Sequence, residues 1–596
     1  MRSDSKSRTA DSTALPRRVA WVASALCLVA GCSLVTTFPE IEESTAAGAA
    51  GQGGAGGGTT NVGGNGNGGG GAGAGGGECT PVLADCTDCA GTVEHCGAML
   101  TEIGSTTLIG PPNVPTSDGF AEVTAGTTLA SGAPVFAGVF QEHLGVGLQG
   151  TNKLSALDVG VGFISSADGD LLFGMSPCDG TASSMTMGAI VSFPKASPPA
   201  LAVVGGFTAD RLLPFNGSTN CSGSGVIPSH VGNGTITPYI YWFRENGNAM
   251  ESLEPPAGEQ QINEHAMFLD AAVVDAQAAN PNLVAIGVTT SSAFNALGAV
   301  DGTKFFLLSA GTANLKSAKP LQFGPCQADA FNDFDRIDGS IAVDPVDGGV
   351  WVAGSDGCGG LDQPAGPQPT GFLQRWSTTA GAPGEAPTFD AATVTLPINS
   401  TNHFRVRRLV VTSDSILLAG VYTGVPSFKM AAGGDPDAGH AGGDAYVVRF
   451  PRAGFTNQSK ATWFRRIASD NPLTNVLDLR ADGGRIYVAG RVGTDLGIGD
   501  VFSCLTADLG GGRGFVAELD EATGAVNWMR LDGGLPQSPD GSAPPRRVSD
   551  TVVVPYGRGN LALATSSLGD VVLQCDESST DVAKPTVTLR MLEPSP

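Results

Sequence analysis

Twelve cysteines are the residues with the most chemistry to offer, and four of them crowd into 79-CTPVLADCTDCAGTVEHC-96. Cys79, Cys86, Cys89 and Cys96, with His95 beside them, could fill a tetrahedral zinc site, which takes thiolates and imidazoles. Cys86 and Cys89 form a Cys-x-x-Cys pair that could also cycle between dithiol and disulfide. In an exported chain the same four would close two disulfides, with three possible pairings. A second constellation, Asp333, Asp335 and Asp338 before Gly339, loosely suggests a calcium loop. It departs from the EF-hand spacing and lacks the closing glutamate. Asp168-Gly169-Asp170 reads more simply as a hairpin turn.

Other signatures of chemistry are missing. The sequence holds no Gly-x-Ser-x-Gly elbow, no Walker phosphate loop, no His-Glu-x-x-His and no haem-attachment Cys-x-x-Cys-His. The six histidines, at 95, 143, 230, 265, 403 and 440, are scattered, and each reads as a surface or internally satisfied side chain. No catalytic residue, cofactor or metal ligand is therefore expected. A formal net charge of −24 repels nucleic-acid phosphates and anionic lipid, which excludes both as electrostatic partners.

The first residues read as an address. Arg2, Lys6, Arg8, Arg17 and Arg18 make a basic segment, followed by the apolar run 19-VAWVASALCLVAGC-32. That run is too short to span a bilayer as a permanent helix. Val29-Ala30-Gly31-Cys32 resembles the lipobox of bacterial lipoproteins, in which the signal is cut before the cysteine and the cysteine is acylated. The resemblance implies export and lipidation at Cys32, at the outer membrane or cell surface, with the membrane contacted only through that anchor. Loss of residues 1–31 removes five basic and two acidic side chains, which takes the charge from −24 to −27. From about Thr45 to Gly77 the chain is nearly all Gly, Ala and Asn. Such a segment buries nothing and loses much backbone entropy on ordering, so it is expected to stay disordered. From Cys32 to Cys79 its r.m.s. reach is about 35–40 Å, the dimension of a tether.

A recurring phrase occupies the rest. Strand-like runs end in a small residue at 134-PVFAGVF-140, 201-LAVVGGF-207, 283-LVAIGVT-289, 350-VWVAGSD-356, 416-ILLAGVY-422, 486-IYVAGRV-492 and 561-LALATSS-567. The markers are Gly138, Gly205, Gly287, Gly354, Gly420, Gly490 and the equivalent Thr565, and their near-even spacing indicates a repeat architecture. Upstream of each lies an alternating run and a turn, as in 476-VLDLRADGG-484; downstream lies an aromatic-led run such as 515-FVAELDEATG-524. The better copies add a fourth run, 460-KATWFRRI-467 or 525-AVNWMRL-531, where Trp463 and Trp528 suit packing of a fourth strand. Period-two alternation with Asp-Gly, Asn-Gly or Thr-Gly punctuation predicts four antiparallel strands per repeat. One such sheet cannot hide both faces, and packing seven of them radially makes an all-β, seven-bladed β-propeller. The small marker is expected where side chains crowd the propeller axis. The last repeat stops after its third strand. Residues 99-MLTEIGSTTLIG-110 are expected to supply the fourth and remove an exposed edge.

Strand parity puts the 1–2 and 3–4 turns of every blade on one face and the 2–3 and 4–1 connections on the other. The second set is longer and more variable, with Gly205 to Ile240 much farther apart than Gly287 to Phe305, and binding concentrates on such loops. Six cysteines fall on the same face, Cys178 and Cys326 in 4–1 connections and Cys221, Cys358, Cys504 and Cys575 in 2–3 connections. Pairs Cys178–Cys221 and Cys326–Cys358 then occupy matching positions, and Cys504–Cys575 joins neighbouring blades. Each bond is expected to stabilise by about 2–4 kcal/mol.

Over roughly residues 104–596, and best over 476–531, the pattern resembles the bacterial seven-bladed β-propeller repeat family often called SBBP, seen in extracellular and lipid-anchored proteins. The resemblance implies a fold and not a function. The expected order is a signal peptide over 1–31, a Gly-rich tether over 32–78, a cysteine-rich segment over 79–103 and the propeller over 104–596. The expected role is a surface module that binds an envelope or extracellular protein or glycan, or serves as a scaffold. The competing expectation is an exported hydrolase or lyase whose carboxylates converge at the propeller mouth.

Overall fold

The structure, a computed structural model, describes residues 100–109 and the strands and short turns between 121 and 594. Residues 1–99 and 110–120, and the longer connections such as 216–229, 253–265, 290–303, 324–336, 357–369, 504–512, 533–547 and 569–584, lie outside the description. The expected signal and tether, and the cysteine-rich segment up to residue 99, therefore fall outside it, including Cys32, Cys79, Cys86, Cys89 and Cys96.

Seven four-stranded antiparallel sheets stand as the blades of a propeller, and none of the described residues is helical. The N-terminal strand β1 (Leu100–Ile109) completes the last blade rather than beginning the first. Blade 1 is β2 (Ala121–Thr128), β3 (Pro134–Val146), β4 (Lys153–Ser166) and β5 (Leu171–Cys178). Blade 2 is β6 (Ser184–Phe193), β7 (Ala200–Thr208), β10 (Ile236–Asn246) and β11 (Ala249–Ser252), with β8 (Arg211–Phe215) and β9 (His230–Val231) inserted in its 2–3 connection. Blade 3 is β12 (Ala266–Val273), β13 (Asn282–Thr289), β14 (Lys304–Gly311) and β15 (Leu315–Pro320). Blade 4 is β16 (Gly339–Val343), β17 (Val350–Asp356), β18 (Thr370–Thr379) and β19 (Thr388–Ile398). Blade 5 is β20 (His403–Val411), β21 (Ser415–Gly424), β22 (Gly439–Pro451) and β23 (Trp463–Ala468). Blade 6 is β24 (Asn475–Asp482), β25 (Arg485–Val492), β28 (Arg513–Asp520) and β29 (Val526–Asp532), with β26 (Leu496–Ile498) and β27 (Val501–Ser503) inserted in its 2–3 connection. Blade 7 is β30 (Val548–Tyr556), β31 (Asn560–Leu568), β32 (Pro585–Pro594) and then β1.

The closing strand runs antiparallel to β32 from Leu100↔Pro594 to Ile109↔Thr586, so the ring is sealed by backbone hydrogen bonds between the two ends of the domain. It begins at Leu100, ahead of the boundary expected at 104. Apolar cores lie between blades rather than within them. One joins Phe193 and Trp242 of blade 2 to Phe268 and Phe306 of blade 3. Another joins Phe140 of blade 1 to Val552 and Leu589 of blade 7, and comparable clusters fill the remaining interfaces. Each blade therefore buries both faces, as the repeat requires. Two outer edges are also covered: β8 pairs with β5 of blade 1, and β26 pairs with β23 of blade 5. In both cases the cover comes from the 2–3 connection of the following blade, which blunts an otherwise open row of backbone groups.

The marker glycine has a different cause from the one expected. It lies in strand 2, and the strand nearest the axis is strand 1. In blades 1, 2, 3, 5 and 6 strand 1 carries a register shift beside the marker, for example between Val406 and Arg408 opposite Gly420. That irregularity drives a carbonyl toward the glycine. A Cβ at Gly138, Gly205, Gly420 or Gly490 would sit 2.0 Å from the oxygen of Glu122, Thr186, Arg405 or Asn475 respectively. From the other side an aromatic of strand 3 covers the bare Cα, since Gly138 pairs with Phe163, Gly420 with Tyr446 and Gly490 with Phe515. Where that residue is tyrosine its hydroxyl donates to the same carbonyl: Tyr239 to Thr186 O and Tyr446 to Arg405 O, both at 3.0 Å. Blade 7 has Thr565 at the marker, paired with Thr551 and Thr588, and its shift is displaced to Val548/Asp550. Crowding within each blade, not at the axis, fixes the small residue. Gly490→Ala should therefore cost about 3 kcal/mol, read as a lower urea midpoint at unchanged slope. A variant as stable as the parent would remove the steric account.

Candidate functional site

The inner strands surround an axial cavity of about 370 Å3, lined by β2, β6, β12, β16, β20 and β24. One position recurs on strand 1: Ala125, Ala189, Asp270, Arg408 and Asp478 just after the register shift of blades 1, 2, 3, 5 and 6, and Ser340 at the matching place in blade 4, whose strand is regular. All six line the cavity. Their chemistry is lopsided. Blades 1 and 2 present alanine, whereas blades 3 to 6 present two carboxylates, a hydroxyl and a guanidinium. Two residues further along the strands the wall is mostly small and apolar, with Ala272, Ala342 and Val410, and Arg480 is the exception. Arg480 also borders a second cavity of about 290 Å3, shared with Asp482, Thr128 and Tyr556 at the 1–2 turn end.

The polar members of this ring tie each blade to the next. Asp270 Oδ2 accepts from the Ser340 hydroxyl at 2.6 Å and from the Ile341 amide at 3.1 Å, and Oδ1 accepts from Ala271 N at 2.9 Å. Ser340 Oγ in turn accepts from Leu409 N of blade 5 at 3.1 Å. Asp478 is buried; it accepts from Leu479 N at 3.0 Å and from Val553 N of blade 7 at 3.1 Å. Arg480 Nε lies 3.1 Å from Asp478 Oδ1, Arg408 Nε lies 3.9 Å from it, and Arg480 Nη2 donates to Gly126 O of blade 1 at 3.1 Å. Burial pushes the Asp270 carboxyl above the ordinary range, opposed by the charge of Arg408 and the three hydrogen bonds.

Other carboxylates serve as blade clamps. Asp338 accepts from Arg405 Nε at 2.6 Å and Arg407 Nε at 3.0 Å. Its carboxylate is thus held by two arginines of blade 5, so the loose calcium reading finds no support at this residue; Asp333 and Asp335 lie outside the described residues. Toward the other end of the strands, Asp344 accepts from Val346 N at 3.0 Å, Trp351 Nε1 at 3.2 Å and Arg452 Nη1 at 3.2 Å. Burial alone would raise its carboxyl, but these partners outweigh burial and hold it below the ordinary value.

Of the cysteines expected to pair, Cys178 is described. It is the buried last residue of β5. Cys221, Cys326, Cys358, Cys504 and Cys575 lie outside the described residues. Asp168–Asp170 is the expected hairpin turn, with Gly169 at φ +87° and Ser166 N donating to Asp170 O. Trp463 and Trp528 sit on fourth strands, and their indoles donate to Glu521 O and Glu518 Oε2. His403 is buried at the start of β20, where burial and then Arg405 depress its imidazole. No group of three or more His, Cys, Asp or Glu side chains suited to a metal occurs among the described residues. The axial residues Asp270, Arg408 and Asp478 were not singled out from the sequence. The available signal was a charged residue inside an apolar strand-1 run, as in 476-VLDLRADGG-484.

No family model matches the chain, and no curated protein matches it. Among solved structures it is similar to a protein of unknown function from Dyadobacter fermentans. The two are 11% identical over 83% of this chain and 99% of that one, with a TM-score of 0.33. It is also similar to a subtype N10 neuraminidase-like protein of A/little yellow-shouldered bat/Guatemala/060/2010, at 7% identity over 60% of this chain and 90% of that one, TM-score 0.27. Likeness at this level says nothing about chemistry.

Two outcomes test the ties. Asp478→Ala leaves Arg480, Arg408 and Val553 N facing an emptied buried position and should cost about 3–5 kcal/mol; a cost below about 1 kcal/mol would mean the ring is not held this way. Asp344 has a depressed folded pKa, so its contribution is present above its unfolded value of about 4 and fades as pH falls through the folded value. The stability gap between the parent and Asp344→Asn should therefore shrink on going from pH 6 to below pH 3 in urea titrations. A constant gap would show that the carboxylate charge is not what matters.

Proposed function

We propose that the protein is a surface binding or scaffold module, exported, acylated at Cys32 and carried on a Gly-rich tether. Its partner is an envelope or extracellular protein or glycan, taken on the face made by the 2–3 and 4–1 connections. The observation that carries this reading is the asymmetry of the two faces. On one, strands are joined by turns as short as Asp482-Gly483-Gly484 between β24 and β25; on the other, the chain between β7 and β10 runs from 209 to 235 and that between β25 and β28 from 493 to 512. Long segments on a hydrogen-bonded ring vary without cost to the core, and recognition settles there. The repeats resemble the SBBP family, and the lipobox-like Val29-Ala30-Gly31-Cys32 agrees with attachment to a bacterial envelope. Disulfides Cys178–Cys221, Cys326–Cys358 and Cys504–Cys575 would staple the same face.

One observation favours the competing reading of a hydrolase or lyase. Asp270 and Asp478 both line the axial cavity, and Asp270 has the raised carboxyl that an acid catalyst needs. Against it, each carboxylate already accepts three or more hydrogen bonds from protein groups, which spends its capacity on the ring. The test has two arms. Alkyne-palmitate labelling in a bacterial host should mark the parent and not Cys32→Ser. The released domain should retain an envelope protein or glycan, and replacing 216–229 and 290–303 by short Gly-Ser turns should abolish that retention. Unchanged capture would remove the face from the reading. Hydrolysis of a glycan or glycoside, lost in Asp270→Asn, would favour the enzyme.

A further inference from the structure

The axial cavity has spare hydrogen-bonding capacity of one kind. A guanidinium offers five N–H donors and no acceptor. Among the described residues Arg408 uses one, Nη1 to the Arg407 carbonyl at 3.2 Å. Its nearest carboxylate oxygen, Asp478 Oδ1, stands 3.9 Å from Nε, beyond hydrogen-bond range. The side chain is 29% exposed and lines the cavity. The acceptors around it are committed. Asp270 takes three donors and Asp478 takes Leu479 N, Val553 N and Arg480. Ser340 both donates to Asp270 and accepts from Leu409. A ligand that completes this cavity must bring acceptors.

Charge and shape narrow the class. Two carboxylates and two guanidiniums line the cavity, so its fixed charges cancel. A single negative charge at Arg408 is tolerable, whereas a phosphate dianion would face Asp270 and Asp478 in a site poorly screened by water. Beyond the charged level the wall on the blade 3 to 5 side is Ala272, Ala342 and Val410, with Arg480 on blade 6 tied to Asp478 and Gly126, and the three small residues offer apolar contact and little bulk. The volume of about 370 Å3 lies at the small end of ligand sites, which span roughly 300–1,000 Å3. We propose that the axial cavity binds a small aliphatic monocarboxylate, its carboxylate on Arg408 and its short chain against Ala272, Ala342 and Val410. This site is separate from the partner face proposed above and stands or falls without it.

The test is calorimetric titration of the purified full chain with sodium acetate, butyrate and hexanoate, with butylammonium and inorganic phosphate as counter-probes. Butyrate should bind saturably and more tightly than acetate, by roughly three- to fourfold for each methylene that finds apolar wall, and both counter-probes should fail. Arg408→Gln should weaken butyrate at least tenfold, with Arg408→Lys intermediate because it keeps the charge and loses the fork. In the unaltered chain, butyrate should slow phenylglyoxal modification of Arg408, read by peptide mass mapping, which needs no folded variant. Absence of saturable carboxylate binding would overturn the proposal. So would stronger binding of butylammonium or phosphate, an undiminished affinity in Arg408→Gln, or modification of Arg408 at the same rate with and without butyrate.

Discussion

A four-stranded sheet of this size has two apolar faces and no way to cover either alone. Everything else in the structure follows from closing seven of them into a ring. The cores sit at the interfaces, so Trp242 of blade 2 belongs to the same cluster as Phe306 of blade 3, and Tyr422 of blade 5 to that of Trp351 of blade 4. No blade owns a core, so the ring must close for any interface near the join to be dry. That places unusual weight on β1. It is the only strand of its blade drawn from the other end of the domain, and its nine-residue register on β32 substitutes for a covalent link.

The architecture was legible because each blade repeats a local steric requirement. A carbonyl of strand 1 points at strand 2, a glycine accommodates it, and an aromatic of strand 3 lies over the glycine, as in Asn475, Gly490 and Phe515. Those elements appear in the sequence as a small residue followed some way on by an aromatic-led run, and that pairing exposed the period. The physical reason read from the sequence was wrong because a single strand does not show where its neighbours' carbonyls point. Blade 7 obeys the rule least, with Thr565 in place of glycine and its irregularity displaced.

The axial residues were illegible for a related reason. Strand 1 carries the register shift, which inserts an extra residue and breaks period-two alternation just where Asp270, Arg408 and Asp478 stand. A charge in a broken alternation reads as a solvated side chain. Which charges face one another depends on blades whose inner strands are about seventy residues apart in sequence, such as Arg408 and Asp478, and no local spacing encodes that neighbourhood. The interblade bond from Val553 N to Asp478 is equally invisible, since its donor is a backbone group of a valine.

Charges in the channel are also a consequence of geometry. Inner strands converge on the axis and leave a cavity of about 370 Å3 that small side chains do not fill. A wholly apolar lining would leave the amides of Ile341, Leu409 and Val553, which point between blades, without acceptors, and an unmet buried amide costs about 1–3 kcal/mol. Asp270, Ser340 and Asp478 supply those acceptors. Two carboxylates brought into low dielectric then require cations, and Arg408 and Arg480 provide them. The pairing is uneven, because Arg480 reaches Asp478 and Gly126 while Arg408 stops short of a full bond to any carboxylate. The donors left over on Arg408 are what an acidic protein would seldom present at its centre.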